Sequence, residues 1–346
     1  MTTTQTVKAL FQPFTSDKLT LANRTVMAPM TRQKSPNGVP GPDVAAYYRR
    51  RAEHGVGLIV TEGTVIHHPD ASNQKDVPLF YGEEALNGWA NVVAEVHAAG
   101  GKIVPQIWHM GARGNVNDYS EEEIAGIVRE FAKAAAEAKR LGFDGIELHG
   151  AHGYLIDQFF WEKTNQRTDR YGGSLINRTT FAAEVVKACR EAVGPDFPII
   201  LRISQWKGID YTAKLVRTPE ELAQFLEPLV NAGVDIFHCS TRRFWEPEFE
   251  GSDLNLAGWV KKLTSKPTIT VGSVGLDGDV TNFFKTGSGA GNASLDGLIP
   301  KLESQEFDLI AIGRALLADP AWVSKIRDGK LEDLIPFSPQ ALQTLH

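Results

Sequence analysis

The chain has 346 residues, 42% of them hydrophobic, enough for a sizeable buried core in one α/β barrel with insertions or in two domains. Its 36 Lys+Arg against 42 Asp+Glu leave a net charge of −6 with no basic block, which argues against a nucleic-acid or anionic-membrane surface. The two cysteines, Cys189 and Cys239, are too few for a disulfide framework, a Cys-ligated zinc site or an iron–sulfur cluster.

The first residues, Met1 to Lys8, lack a basic segment followed by an apolar core, and no apolar run approaches the ~18 residues of a membrane span. A cytoplasmic enzyme or binding protein is the expectation. Residues 9–24 read as a hairpin closing the bottom of a barrel, with extended pieces at Leu10-Phe11 and Leu19–Leu21 around a turn at Thr15–Asp17. A strand over Thr25–Met30 follows, with Thr31 and Arg32 at its carboxyl end; after a Pro/Gly loop, Asp43 is expected to cap a helix to about His54. Gly57–Thr61 is a strand and Glu83–Ala99 a helix. Lys102–Trp108 is a strand in which Pro105 demands an irregular ladder. Ser120 with Glu123 forms a capping box, and Ile124, Ile127, Phe131 and Ala135 recur at helical spacing behind it.

Gly145–Leu148 is the central strand, followed by a long loop and a helix over about Asn177–Val193. Phe197–Ile203 is a strand, and Thr218-Pro219 opens a helix to Ala232. Val234–Cys239, Thr268–Val271 and Leu309–Ile312 complete eight short apolar strands. Apolar runs without alternation indicate strands buried on both faces, hence a parallel sheet. The expected fold is α/β: one domain over residues 1–346, a (β/α)8 TIM barrel with an N-terminal β-hairpin cap. The Gly- and Ser-rich region 276–306 exceeds a usual crossover and reads as an extra segment in the seventh βα unit.

In such a barrel, reactive groups sit where strands end at the carboxyl face. Thr31, Gly63, Gln106, Trp108, His149, His152, Tyr154, Arg202, Gly272-Ser273 and Gly313-Arg314 all fall there. Glycine lets backbone N–H groups approach an anion and Arg314 adds a charged fork, so the ends of the last two strands suit a phosphate. His149 and His152 read as donors to a carbonyl oxygen on which negative charge develops, with Tyr154 as a proton donor; zinc ligation lacks a third ligand. Arg202 at the end of a core strand is costly to bury without an anionic partner, for which a flavin's N1/C2 edge qualifies. Gln106 can bond both donor and acceptor positions of a flat heterocycle. Arg242-Arg-Phe-Trp245 reads equally as a substrate entrance and as an exposed loop.

These residues resemble the old yellow enzymes, flavin-dependent ene-reductases. The resemblance covers nearly the whole chain and is carried by Asn23-Arg-Thr-Val-Met-Ala-Pro-Met-Thr-Arg32, Gln106-Ile-Trp-His109, His149-Gly-Ala-His-Gly-Tyr154 and Asn165-Gln-Arg-Thr-Asp-Arg-Tyr-Gly-Gly173. It implies FMN held by Thr31, Gly63, Gln106, Arg202, Gly272, Ser273, Gly313 and Arg314. It also implies that His149 and His152 grip the substrate's activating group and that Tyr154 delivers the proton; Trp108 and Trp245 are expected, apart from the resemblance, as further substrate contacts. The implied reaction takes hydride from NAD(P)H and saturates the C=C bond of an activated alkene, so the expected partners are small molecules.

Gly63 stands where many members carry alanine, and Thr31 where one branch has cysteine. Region 276–306 and the Arg242–Trp245 loop also depart from the family, so substrate preference does not transfer. Two readings compete: a sugar-phosphate aldolase or isomerase, and a flavin- or phenol-binding redox protein without turnover. The oligomeric state stays open, a homo-oligomer included.

Overall fold

The computed structural model describes residues 7–346; residues 1–6, within the stretch read for a leader, lie outside it. A two-stranded hairpin, β1 (Phe14–Thr15) and β2 (Thr20–Leu21), pairs Phe14 with Leu21. The hairpin is where it was expected but starts later. Leu10 and Phe11 are not extended; they end a short 3-10 helix, Lys8–Phe11.

Eight parallel strands then close into a barrel. They are β3 (Thr25–Met27), β4 (Leu58–Val65), β5 (Ile103–Trp108), β6 (Ile146–His152), β7 (Ile199–Lys207), β8 (Ile236–Ser240), β9 (Thr268–Val271) and β10 (Leu309–Ile312). Closure comes from β10, which pairs with both β9 and β3. Among the described residues no helix is long and apolar enough to cross a membrane.

The strand ends differ from the sequence reading because tertiary pairing extends or trims them. All eight residues of β4 are buried, past the expected end at Thr61. Strand β6 runs on through His152, whose N–H donates to Ser204 Oγ of β7 at 3.0 Å. Pro105, which has no N–H, sits at a register shift. Val60 pairs with Val104 but Gly63 with Gln106, so two residues of β4 face one of β5. Asp43 is not the helix cap: Gly41 is, and Asp43 lies in the first turn of Pro42–Glu53, its Oδ1 accepting from the Val44 N–H at 2.9 Å. The capping box at Ser120 is formed, and so is the Thr218 cap. A helix over Leu155–Phe160 fills what read as loop.

Period two along each strand makes the barrel interior legible. Val104 of β5, Ile200 of β7, Ile236 of β8 and Leu309 of β10 form one cluster with Phe14, Leu19 and Leu21 of the hairpin. The hairpin therefore plugs the barrel base, each fully buried aliphatic chain contributing about 1.5–3 kcal/mol. Two positions further along the same faces the apolar residues give way to Gln106, Arg202 and His238. Two further still come Trp108, Ser204 and Ser240. Dry base, polar middle layer and open top follow from one alternation. Region 276–306 is ordered between β9 and β10, with a helix over Val280–Thr286 capped by Asp279 and a shorter one over Ile299–Glu303.

Candidate active site at the carboxyl face

A cavity of about 690 Å³ opens above the polar layer, within the range typical of small-molecule sites. It is lined by Thr31, Gln106, Trp108, His149, His152, Tyr154, Arg202, Gly272, Ser273, Gly313 and Arg314, so eleven of the thirteen expected site residues converge there. Gly63 and Trp245 do not. A Cβ on Gly63 would lie 2.3 Å from Trp108 Cε3, so Gly63 is the space into which the indole packs. Trp245 is 45% exposed, its ring edge-on to the buried Phe244. Of its loop, Arg242 faces the cavity.

At one end of the cavity, the His149 ring is stacked 5.8 Å from Trp108 and lies edge-on to Tyr154 at 4.8 Å and to His152 at 5.3 Å. The Ala151 N–H donates to His149 Nδ1 at 3.4 Å, which leaves Nε2 to carry the proton. Burial, then the Arg202 charge, lowers the pKa of both histidines well below the ordinary range, so both are neutral hydrogen-bond donors. The two are not equivalent. His152 holds a left-handed backbone (φ 64°), stacks on Trp206 at 4.2 Å, and shares Nε2 with Ser240 Oγ at 2.8 Å, leaving one nitrogen. Tyr154 is the N-cap residue of helix Leu155–Phe160; burial raises its pKa, so it keeps its proton. Its hydroxyl has no hydrogen-bond partner among the described residues.

The other end suits an anion. Gly272 (φ 150°) is required by crowding: a Cβ there would meet Thr241 Oγ1 at 2.7 Å. At Gly313 a Cβ would meet nothing nearer than Met30 Sδ at 3.7 Å, so protein packing does not demand glycine and the backbone is left bare to the cavity. Ser273 Oγ donates to the Arg242 carbonyl at 2.9 Å, which leaves its backbone N–H as the free donor. Arg314 donates to the Gly278 carbonyl at 2.5 Å and lies over the Phe337 ring. The lining contains three arginines, Arg202, Arg242 and Arg314, and no carboxylate.

In the layer beneath, Arg202 is 7% exposed and its Nε has no partner, the signature of a guanidinium awaiting an acceptor. Flavin mononucleotide fits these features: a dianionic phosphate for the glycine and arginine end, and a ring edge that turns negative on reduction for Arg202. Sequence reasoning missed Glu147 and His238, both fully buried, and the neighbouring Ser240 and Trp206. The signal for the first two was present, each being a polar residue inside an apolar strand in phase with His149 or Ser240. Among the described residues no group of three His, Cys, Asp or Glu could hold a metal.

Residues 9–120 and 114–333 match the NADH:flavin oxidoreductase / NADH oxidase family. The chain is 38% identical over 264 residues to 12-oxophytodienoate reductase 2 of Arabidopsis thaliana, covering 66% of this chain and 69% of that one. It is 32% identical to an NADH oxidase of Thermoanaerobacter brockii over 94% of this chain, but spans only 52% of that protein's length. Among solved structures, morphinone reductase in complex with tetrahydroNAD superposes with a TM-score of 0.79 at 28% identity, over 96% of this chain and 93% of that one.

Proposed function

The chain belongs to the old yellow enzyme family of FMN-dependent NAD(P)H oxidoreductases, and from that premise we propose that it reduces the C=C bond of α,β-unsaturated carbonyl compounds or related activated alkenes. One observation carries the reading: His149 and Tyr154 stand ring to ring, beside His152, in a cavity without a carboxylate. Two neutral imidazole donors and one protonated phenol suit an oxygen that gains negative charge while a neighbouring carbon gains a proton. The whole chain, residues 1–346, acts as one FMN-binding unit in this proposal, supported by the closure of all eight barrel strands around one cavity.

When bound, FMN supplies the hydride chemistry, accepting from the nicotinamide and donating to the alkene. The protein's part is positioning. Gly272, Ser273 and Gly313 offer backbone N–H groups to the phosphate, with Arg314 as its charged fork. Thr31 and Gln106 would hold the ring, and Arg202 would meet the edge that gains negative charge on reduction. His149, through Nε2–H, and His152, through its remaining nitrogen, hold the substrate carbonyl oxygen. Tyr154 Oη gives its proton to the α-carbon, and Trp108 forms the wall behind. Gly63 acts on this site through Trp108, and Trp245 stands outside it.

Tyr154→Phe separates the roles. Reduction of the bound flavin by NAD(P)H needs no protein acid and should stay near wild type. Reoxidation by cyclohexenone should slow about 10²–10⁴-fold, the usual loss for a missing general acid. Stopped-flow measurement of both half-reactions decides it: equal slowing would make Tyr154 a ring support, and no slowing would remove it from proton delivery.

A further inference from the structure

Beneath the cavity floor lies a fully buried carboxylate that the reaction as described does not use. Glu147 sits on β6, on the same face as His149 and one layer below it. Its Oε1 accepts from Gln106 Nε2 at 2.9 Å and its Oε2 from His238 Nδ1 at 2.7 Å. Glu147 and His238 are fully buried and Gln106 nearly so. Burial works against the charge of Glu147, but His238, Arg202 and Gln106 outweigh it and hold the pKa below the ordinary carboxylate value. Burial lowers the pKa of His238, whose Nδ1–H is the donor to Glu147, and its Nε2 has no partner.

Two consequences follow from elementary hydrogen-bond chemistry. An ionised carboxylate only accepts, so Gln106 must turn its NH2 group to Glu147 and its carbonyl oxygen away from it. Gln106 also lines the cavity, and the amide it offers there is therefore acceptor-led, suited to a ring N–H. The second consequence is electrostatic. Arg202 lines the same cavity, and Glu147 is the anion that faces it. In a fully buried, low-dielectric layer that charge acts at longer range than it would in solvent.

We infer that Glu147 is a positioning residue which turns the Gln106 carbonyl toward the flavin and, through its buried negative charge, lowers the flavin's reduction potential. This rests on the proposed placement of the ring against Gln106 and Arg202. Glu147→Gln keeps the size and one acceptor oxygen while removing the charge. The FMN-loaded variant, titrated anaerobically against a dye of known potential, should show at least a tenfold higher ratio of reduced to oxidised flavin at a fixed potential. For a two-electron couple, tenfold corresponds to about 30 mV toward the positive.

His238→Lys leaves Glu147 in place and cancels its charge; it should move the ratio in the same direction and carries the test if Glu147→Gln does not fold. Arg202→Gln should move the ratio the opposite way. If Arg202→Gln shifts the potential and neither other variant does, the inference about Glu147 is overturned while the ring placement stands. If none of the three shifts it, the ring does not lie there and both fall. A shift toward the negative in Glu147→Gln also overturns the inference.

Discussion

Glu62 shows what burial does to a carboxylate that has hydrogen bonds but no ion pair. It is 1% exposed; its Oε2 accepts the backbone N–H of Arg32 at 2.9 Å and of Gln33 at 3.3 Å, and its Oε1 has no partner. Burial pushes its pKa from 4.5 up to about 7, against those two N–H groups and the Arg32 charge. The folded protein thus holds a proton that the unfolded chain has already released. The associated stability is fully present below about pH 4.5 and is lost as pH rises through 7, up to about 3 kcal/mol. Because the residues it holds follow Thr31, the loss is felt beside the cavity. Glu62→Gln still accepts from the loop and cannot ionise. Its melting temperature should gain on wild type progressively from pH 5 to pH 8; a difference that ignores pH would show that Glu62 does not titrate in this window.

At the scale of the element, the turn between His152 and Tyr154 is held by an ion pair with no solvent contact. Lys207 Nζ lies 2.6 Å from Asp157 Oδ1, both side chains 0% exposed, and Asp157 Oδ2 accepts the Gly153 N–H at 2.7 Å. The Gly208 N–H donates to the His152 carbonyl at 2.9 Å. Strand β7, the turn and helix Leu155–Phe160 are thereby joined at the point where the candidate chemistry emerges. Lys207→Met strands a buried carboxylate and should destabilise by about 3–5 kcal/mol. Adding Asp157→Leu should restore much of that stability, since a packed apolar pair can replace a buried ion pair. The double variant, unlike Lys207→Met alone, removes the Asp157 acceptor of the Gly153 N–H, so enone-driven reoxidation should be slow in it while flavin reduction stays near wild type. Chemical denaturation together with both half-reactions checks it; recovery of enone turnover along with stability would make the pair purely structural.

For the whole molecule, a chain of net charge −6 keeps a cavity lined by three arginines and no carboxylate. Like-charged groups gathered in one partly desolvated space oppose folding until an anion enters, so cofactor and fold are linked. At a thousandfold excess of FMN over its Kd the linkage is worth about 4 kcal/mol. The FMN-loaded protein should therefore melt higher than the stripped protein. If Arg314 holds the phosphate as proposed, Arg314→Ala removes a charge-assisted contact of about 1.5–3 kcal/mol and should narrow that gap chiefly by lowering the loaded value. Differential scanning calorimetry of the four forms is the measurement; an unchanged gap would take Arg314 out of the phosphate site.

The sequence alone pointed to the barrel, because short non-alternating apolar runs suit a parallel sheet covered on both faces, and eight such units favour closure over an open doubly wound sheet. It also determined the rim, because chemistry-bearing residues at strand ends must share one face once the strands run parallel. Local signals acting over three or four residues, such as the Ser120–Glu123 box and the Thr218-Pro219 start, read correctly for the same reason. Tertiary structure decided whatever depends on neighbours distant in the chain. Strand β6 extends to His152 because β7 pairs with it, and Gly63 proves to be room for Trp108 because their register sets them one strand apart. The Glu147–His238 bond joins residues 91 apart, and nothing local to either strand specifies it. A buried carboxylate chooses its partners through the closure of the barrel, which no window of sequence contains.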